Sequence, residues 1–185
     1  TNEHPVVNGE FQRGESNPEF ALYYEFQEKM WGKDKSRKIP IGDHDVILSA
    51  TPEKMRTIQQ KYYWPNNSIL IIAGDVNPND AFAKAESIFG DWQPSGFDPF
   101  EKFPIPEFKP IKENIYFVTT GENAQAPVIY IGWHGPDTRN DVKATYTADV
   151  FSYIVNLESS KFSRELVDAG LALEASLYYG TDIYT

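Results

Sequence analysis

The sequence has no cysteine, and this absence excludes several classes of functional site. A chain without thiols cannot build a cysteine zinc finger, an iron–sulfur centre, a disulfide scaffold or a thiol nucleophile. Long apolar runs are also absent. The longest run, residues 69–73, is far shorter than the roughly 20 residues that a membrane-spanning helix needs. We therefore expect no membrane span.

Basic residues are scarce as well. The 185 residues include 17 lysines and arginines against 27 acidic residues, which gives a net charge of -10. Nucleic-acid binding depends on basic side chains that neutralise phosphates, and no basic cluster is present here, so we expect no nucleic-acid partner. There is also no glycine-rich phosphate loop and no G-x-S-x-G motif. Apolar residues make up 41% of the chain, which is enough for a packed core.

Three pairs of a capping residue and a proline predict helix N-termini, because proline is favoured at the first helical position. The pairs are Asn17-Pro18, Thr51-Pro52 and Asn77-Pro78. Apolar residues follow each pair at helical spacing, and glycines at 32 and 90 end the first and third helices. A long helix over about 141–157 and a short one over about 160–167 are predicted further along the chain.

Short apolar or alternating runs predict β-strands. They lie at residues 69–73, 115–119, 128–133 and 173–179.

Five prolines between Pro94 and Pro110 predict a linker at residues 94–112 between two units, residues 1–93 and residues 113–185. The first unit has a single predicted strand, which cannot satisfy its own backbone N–H and C=O groups. The second unit ends on a strand. We therefore expect the chain to be a segment of a longer protein.

Several ordered motifs resemble the pitrilysin/insulinase family of zinc metallopeptidases, the inverzincins. The run "TPEKMRTIQQKYYWPNNSILIIAGDVNPNDAFAKAESIFGDW" is similar to a helix–strand–helix of that family. The stretches "SRKIPIGDHDVI" and "SKFSRELVDAGLALEASLYYGTD" resemble a preceding loop and the start of a second domain. "QRGESNP" and "GPDTRNDVKATYTAD" are typical of a bacterial subgroup.

The resemblance implies an α+β fold, similar to that of the mitochondrial processing peptidase, with helices packed on one face of a mostly antiparallel sheet. Residues 1–93 would be the C-terminal half of the metal-bearing domain, and residues 113–185 the N-terminal half of a related second domain. The implied activity is zinc-dependent endopeptidase cleavage of peptides inside an enclosed chamber. The bacterial subgroup implies a periplasmic or cell-envelope location.

Two acids near the start, Glu3 and Glu10, stand seven residues apart, so a helix would turn both to the same side. On the residues alone, two solvated acids on an acidic protein are the favoured interpretation. The resemblance implies that Glu10 is the third zinc ligand and that Glu3 is an additional carboxylate that orients a ligand or handles a proton. A hydrolytic zinc site takes three protein ligands and a water molecule.

The rest of that zinc site is missing from the sequence. The family's H-x-x-E-H motif does not occur, and the histidines at 4, 44 and 134 are isolated. The family's arginine and tyrosine that bind substrate are also absent, since Val167 and Leu173 stand at the corresponding places. We therefore expect the chain alone to be inactive and free of tight zinc. Other domains of the longer protein, or a second subunit, would supply the missing groups.

Two alternatives remain open at this point. One is a non-catalytic homologue that serves as a scaffold or substrate-binding half, and the other is an unrelated α+β binding module. Retention of both Glu3 and Glu10 favours the active protease, because a scaffold needs neither residue. An H-x-x-E-H motif about 70–80 residues before Glu10 would support the protease, and its absence would support the scaffold.

Overall fold

Helices form all of the regular secondary structure in the computed structural model, which describes residues 3–121 and 124–181. The α-helices are α1 (Glu3–Glu15), α2 (Phe20–Trp31), α3 (His44–Leu48), α4 (Pro52–Tyr62), α5 (Pro78–Phe89), α6 (Pro99–Lys102), α7 (Val142–Val155) and α8 (Lys161–Ser163). Two 3-10 helices (Gly32–Arg37 and Pro65–Asn67) and one π-helical turn (Arg164–Asp168) complete the set. None of the helices in these ranges is long and apolar enough to cross a membrane.

The predicted α+β fold is wrong, because none of the described residues belongs to a β-strand. The four runs predicted as strands are neither helical nor paired with one another through their backbones. Their apolar side chains are largely exposed, with Ile69 at 88%, Val118 at 92% and Leu173 at 93%. A strand needs a partner for its backbone N–H and C=O groups. An apolar run indicates that its side chains favour burial, but it does not specify which segment pairs with its backbone.

Residues 128–133 contact the region of helix α2 instead of pairing with a strand. Tyr130 donates its hydroxyl hydrogen to Glu19 Oε2 at 3.0 Å, and its ring contacts that of Phe26 at 5.6 Å between centroids. Burial raises the pKa of Tyr130, and the hydrogen bond to Glu19 raises it further. A Cβ added to Gly132 would collide with the Phe26 ring, so only glycine allows this approach to α2. The run packs against a helix.

The predicted starts of α4 and α5 are confirmed. Thr51 Oγ1 accepts a hydrogen bond from the Lys54 backbone N–H at 3.3 Å, and Asn77 Oδ1 accepts one from Asn79 at 2.9 Å. Gly90 caps the end of α5, as predicted from its position after the apolar stripe. These signals are local, because each depends on a side chain within three residues of the N–H that it satisfies.

The predicted start of α2 is two residues early. Asn17 Oδ1 accepts from the Glu19 N–H at 2.9 Å, which closes a turn that includes Pro18, and the helix begins at Phe20. The predicted end is confirmed, because Gly32 follows the last helical residue with a φ of 56°, which favours glycine.

By its internal contacts the chain divides into two compact units. One comprises Thr1–Asn8 and His44–Pro106, and the other comprises Gly9–Asp43 and Glu107–Thr185. The predicted halves of two peptidase domains, with boundaries at 93 and 113, describe a larger protein and stay a prediction. Residues 1–2, 122–123 and 182–185, which those predicted halves include, lie outside the described part.

The first unit is held around aromatic rings beside the proline-rich stretch. Phe97 contacts Trp64 and Phe103 edge to face, with centroid distances of 6.1 Å in both pairs. Asn66 fastens the same stretch: its Nδ2 donates to the Phe97 carbonyl at 2.9 Å, and its Oδ1 accepts from the Ser95 N–H at 3.0 Å. Polar and aromatic contacts together therefore order residues that sequence analysis assigned to a linker.

In the second unit, α7 begins at a tightly bonded loop. Asp141 Oδ1 accepts from the Ala144 N–H at 2.8 Å, and the hydroxyl of the fully buried Thr145 donates to the Asp141 carbonyl at 2.9 Å. Just before them, Asp137 accepts from the backbone N–H of Asn140 at 2.7 Å. The bond to Asp141 Oδ1 satisfies the Ala144 N–H, which belongs to the first turn of the helix and has no partner within it.

We expect Asp141→Ala to lower the free energy of unfolding by about 1 kcal/mol, because the Ala144 N–H loses its capping acceptor. Urea unfolding followed by circular dichroism measures this change. Asp141→Asn should retain most of the stability, and Lys143→Ala, an exposed change on the same helix, is the matched control. Equal stability of the Asp141→Ala and Lys143→Ala proteins would contradict the assigned cap.

Candidate functional site

Helix α1 carries both glutamates predicted for the zinc site. It runs without interruption over Glu3–Glu15, and Pro5 lies in its first turn, where a missing N–H costs no intrahelical bond. Seven residues turn a helix through about 20° less than two full turns and advance it by about 10 Å. Glu3 and Glu10 therefore lie on the same side of α1, and both are exposed.

Aromatic packing fixes the C-terminal half of α1. Phe11 is buried at 4% exposure, and its ring meets those of Phe20 and Tyr24 edge to face at 5.6 and 6.3 Å. Gly14 permits close packing, because a Cβ there would lie 3.1 Å from the Phe20 ring. Glu10 is the neighbour of the buried Phe11 in sequence, so its backbone is anchored while its carboxylate stays accessible.

Glu10 lines a shallow, open depression of about 410 Å³ in the second unit. Arg13, Gly14, Asn17 and Phe20 form the rest of its lining. Within residues 3–121 and 124–181, no hydrogen bond or ion pair involves the Glu10 carboxylate. Sequence analysis did not assign Arg13 and Asn17 to this site. The signal that could have found Arg13 is its i, i+3 spacing from Glu10 on one helix.

The histidines do not converge on Glu10. The Nε2 atom of each one lies within hydrogen-bonding distance of a protein oxygen: His4 with the Ile47 carbonyl, His44 with Asn8 Oδ1 at 2.8 Å, and His134 with the Met30 carbonyl at 2.8 Å. His134 also stacks on Trp31, with ring centroids 4.3 Å apart. Among the described residues, no three His, Asp or Glu side chains are grouped to hold a metal ion.

The Glu10 carboxylate has the chemistry and the accessibility that a zinc ligand needs. Zinc in hydrolytic sites accepts carboxylate oxygens together with imidazole nitrogens. An accessible carboxylate on an anchored helix, without a competing partner in the described ranges, is able to provide one such oxygen. The remaining ligands would have to come from outside these ranges. The predicted roles of Glu10 and Glu3 stay predictions.

The places of the family's substrate-binding pair carry apolar residues. Val167 lies in the π-helical turn Arg164–Asp168, and Leu173 is 93% exposed in an irregular segment. Neither side chain can donate a hydrogen bond to a peptide carbonyl. Val167 and Leu173 therefore do not replace the arginine and tyrosine that the resemblance implies at these places.

Comparison with known proteins adds the following matches. A family model described as "Peptidase M16 inactive domain" matches residues 49–184. A curated relative, "Probable zinc protease PqqL" of Escherichia coli (strain K12), is 39% identical over 44 residues. That alignment covers 24% of this chain and 5% of the relative, so the chain corresponds to a small part of it. No solved structure matches.

We expect the 185-residue chain, purified alone, to retain no stoichiometric zinc. One carboxylate ligand is too few, because a catalytic zinc site uses three protein ligands. Metal analysis after incubation with zinc and dialysis measures the content. One zinc ion per chain that survives dialysis would show a complete site within this sequence.

Proposed function

Because the chain belongs to the peptidase M16 family, we propose that it forms part of a zinc-dependent endopeptidase. The family model spans residues 49–184, or 136 of the 185 residues, which confirms the resemblance inferred from the sequence motifs. Residues 3–15, which form α1, precede the matched region. In this proposal the chain joins a metal-site helix to a domain that does not itself catalyse.

The observation that carries the proposal is the placement of Glu10. The carboxylate is exposed on a helix whose other side is anchored by Phe11, and it opens onto the depression shared with Arg13. Glu3 lies two turns earlier on the same side of that helix. Two accessible acids at this spacing match the places of the family's third ligand and its accompanying carboxylate.

Each acid would have a distinct task in hydrolysis. Zinc held at such a site would supply a water with a pKa of about 7 and a charge that polarises the peptide carbonyl. Glu10 would contribute one coordinating oxygen and hold it in place through the rigid C-terminal half of α1. Glu3 would accept a hydrogen bond from a ligand's ring N–H and so fix the orientation of that ligand.

The other groups would come from the remaining domains of a longer protein or from a second subunit. They include the H-x-x-E-H motif and the donors that bind the peptide substrate. The same partners would cover apolar side chains that the chain leaves open, such as Ile71 at 81% exposure and Tyr116 at 88%. Exposed apolar surface of this kind is typical of an interaction site. A periplasmic or cell-envelope location stays a prediction.

The second candidate function is that of a non-catalytic family member. It is favoured by the description of the matched family model as an inactive domain, and by the position of Glu3 and Glu10 outside the matched residues. A scaffold of this kind would bind peptides or a catalytic partner without holding zinc. The two candidates differ in whether Glu10 matters for metal binding.

In the intact protease, Glu10→Gln should lower zinc content and peptidase activity together, because the amide is a weaker ligand than the carboxylate. Removing a group that only orients a zinc ligand lowers zinc affinity roughly 10–100-fold. Replacing a ligand itself should lower the affinity at least as much. Chelator competition measures the affinity, and cleavage of a fluorogenic peptide measures the activity.

Glu15→Gln is the matched control, since Glu15 is an exposed acid on α1 turned about 140° away from Glu10. Glu3→Gln should reduce activity while most of the zinc is retained. Unchanged zinc affinity in the Glu10→Gln protein would remove Glu10 from the ligand set. A wild-type protein without zinc would support the scaffold.

A further inference from the structure

Arg13 presents a cation in the same depression as Glu10. The two residues are three apart on α1, a spacing at which opposite charges often pair. Here they do not pair, and within the described ranges the guanidinium has no hydrogen-bonding or ionic partner. The Arg13 backbone is nevertheless fixed, since its carbonyl accepts from the hydroxyl of Ser16 at 2.6 Å.

Asn17 adds a second donor to this depression. Its Oδ1 accepts the Glu19 N–H at 2.9 Å, and this bond determines which end of the amide is oxygen. The Asn17 NH₂ group is therefore left as a donor, without a partner in residues 3–121 and 124–181. The rigid floor between these side chains comes from Phe20, which stacks on Tyr24 at 5.7 Å.

The charge of the depression depends on whether the Glu10 carboxylate binds a metal ion. If zinc takes up the Glu10 carboxylate, the polar groups left in the lining are the guanidinium of Arg13 and the amide of Asn17. Both donate hydrogen bonds, and the guanidinium presents its N–H groups in a fork that matches two carboxylate oxygens. The chain as a whole has a net charge of -10, which repels anions. The cation in this depression would therefore attract a carboxylate to this place in particular.

We propose that Arg13, assisted by Asn17, binds a carboxylate of the peptide substrate beside the zinc site. The protease would then prefer peptides that carry an acidic group close to the bond that is cleaved. This inference rests on the proposed function, because it takes Glu10 to be a zinc ligand. The carboxylate belongs either to an Asp or Glu side chain or to the C-terminus of the peptide.

The test compares three peptides of one sequence in the intact protease. One is uncharged with an amidated end, one has an internal Glu and an amidated end, and one is uncharged with a free C-terminus. Arg13→Gln should lower the ratio of kcat/KM for a carboxylate-bearing peptide over the uncharged one by about tenfold, as expected for one lost charge-assisted hydrogen bond. The peptide that loses its advantage identifies the source of the carboxylate.

Two further variants distinguish the effect of the guanidinium fork at Arg13 from that of positive charge. Arg13→Lys keeps the charge without the fork, and should fall between wild type and Arg13→Gln. Arg56→Gln is the control for a general loss of positive charge, since Arg56 is exposed on α4 and pairs with Glu53 at 3.3 Å. It should leave the ratio at the wild-type value. An equal loss for all three peptides in Arg13→Gln would overturn the proposal.

A binding measurement that does not depend on catalysis complements the kinetics. In Glu10→Gln protein the depression keeps both donors but no anion, so fluorescence anisotropy should detect binding of a labelled carboxylate peptide. Adding Arg13→Gln should weaken this binding about tenfold. If Glu10→Gln loses zinc while the Arg13 variants leave both readouts unchanged, only this inference fails. If Glu10→Gln keeps its zinc, Glu10 is not a ligand, and the part of the proposed function on which this inference rests fails.

Discussion

The extended apolar segments of this chain need partners that pair with their backbone groups and cover their side chains. Residues 69–73 and 115–119 are mostly apolar and non-helical, and in the described structure they gain no backbone pairing and stay largely exposed. Leaving such groups in water forfeits burial worth about 25 cal/mol per Å² of apolar surface. The family match gives this constraint a functional meaning, since the proposed larger enzyme would supply both the cover and the missing zinc ligands.

Sequence analysis succeeded where the decisive interactions are local. Thr51 and Asn77 cap their helices because each reaches an N–H two or three residues away, and Gly32 ends α2 because it tolerates a positive φ. The lack of a sheet among the described residues could not be predicted in this way, because strand pairing depends on distant partners. Tyr130 illustrates the failure, since its apolar run suits a strand and yet contacts Glu19 and Phe26 around α2.

The candidate site was also only partly predictable. The spacing of Glu3 and Glu10 placed them on one side of a helix, but the zinc role came from the family resemblance. Arg13 was not predicted for the site, although its i, i+3 spacing from Glu10 on α1 brings the two residues together. Asn17 could not be predicted for it, because its place depends on the turn after α1 and on the packing of Phe20. The proposed preference for a carboxylate depends on these contacts, and no single motif in the sequence records it.

The central claim is that the apolar segments are open in this chain and covered only in the proposed larger enzyme. Amide hydrogen exchange over residues 69–73 and 115–119, measured in the 185-residue chain and in the intact protease, tests it most directly. The account predicts fast exchange in the isolated chain and strong protection in the intact protein. Strong protection already present in the isolated chain, or fast exchange in both, would contradict it.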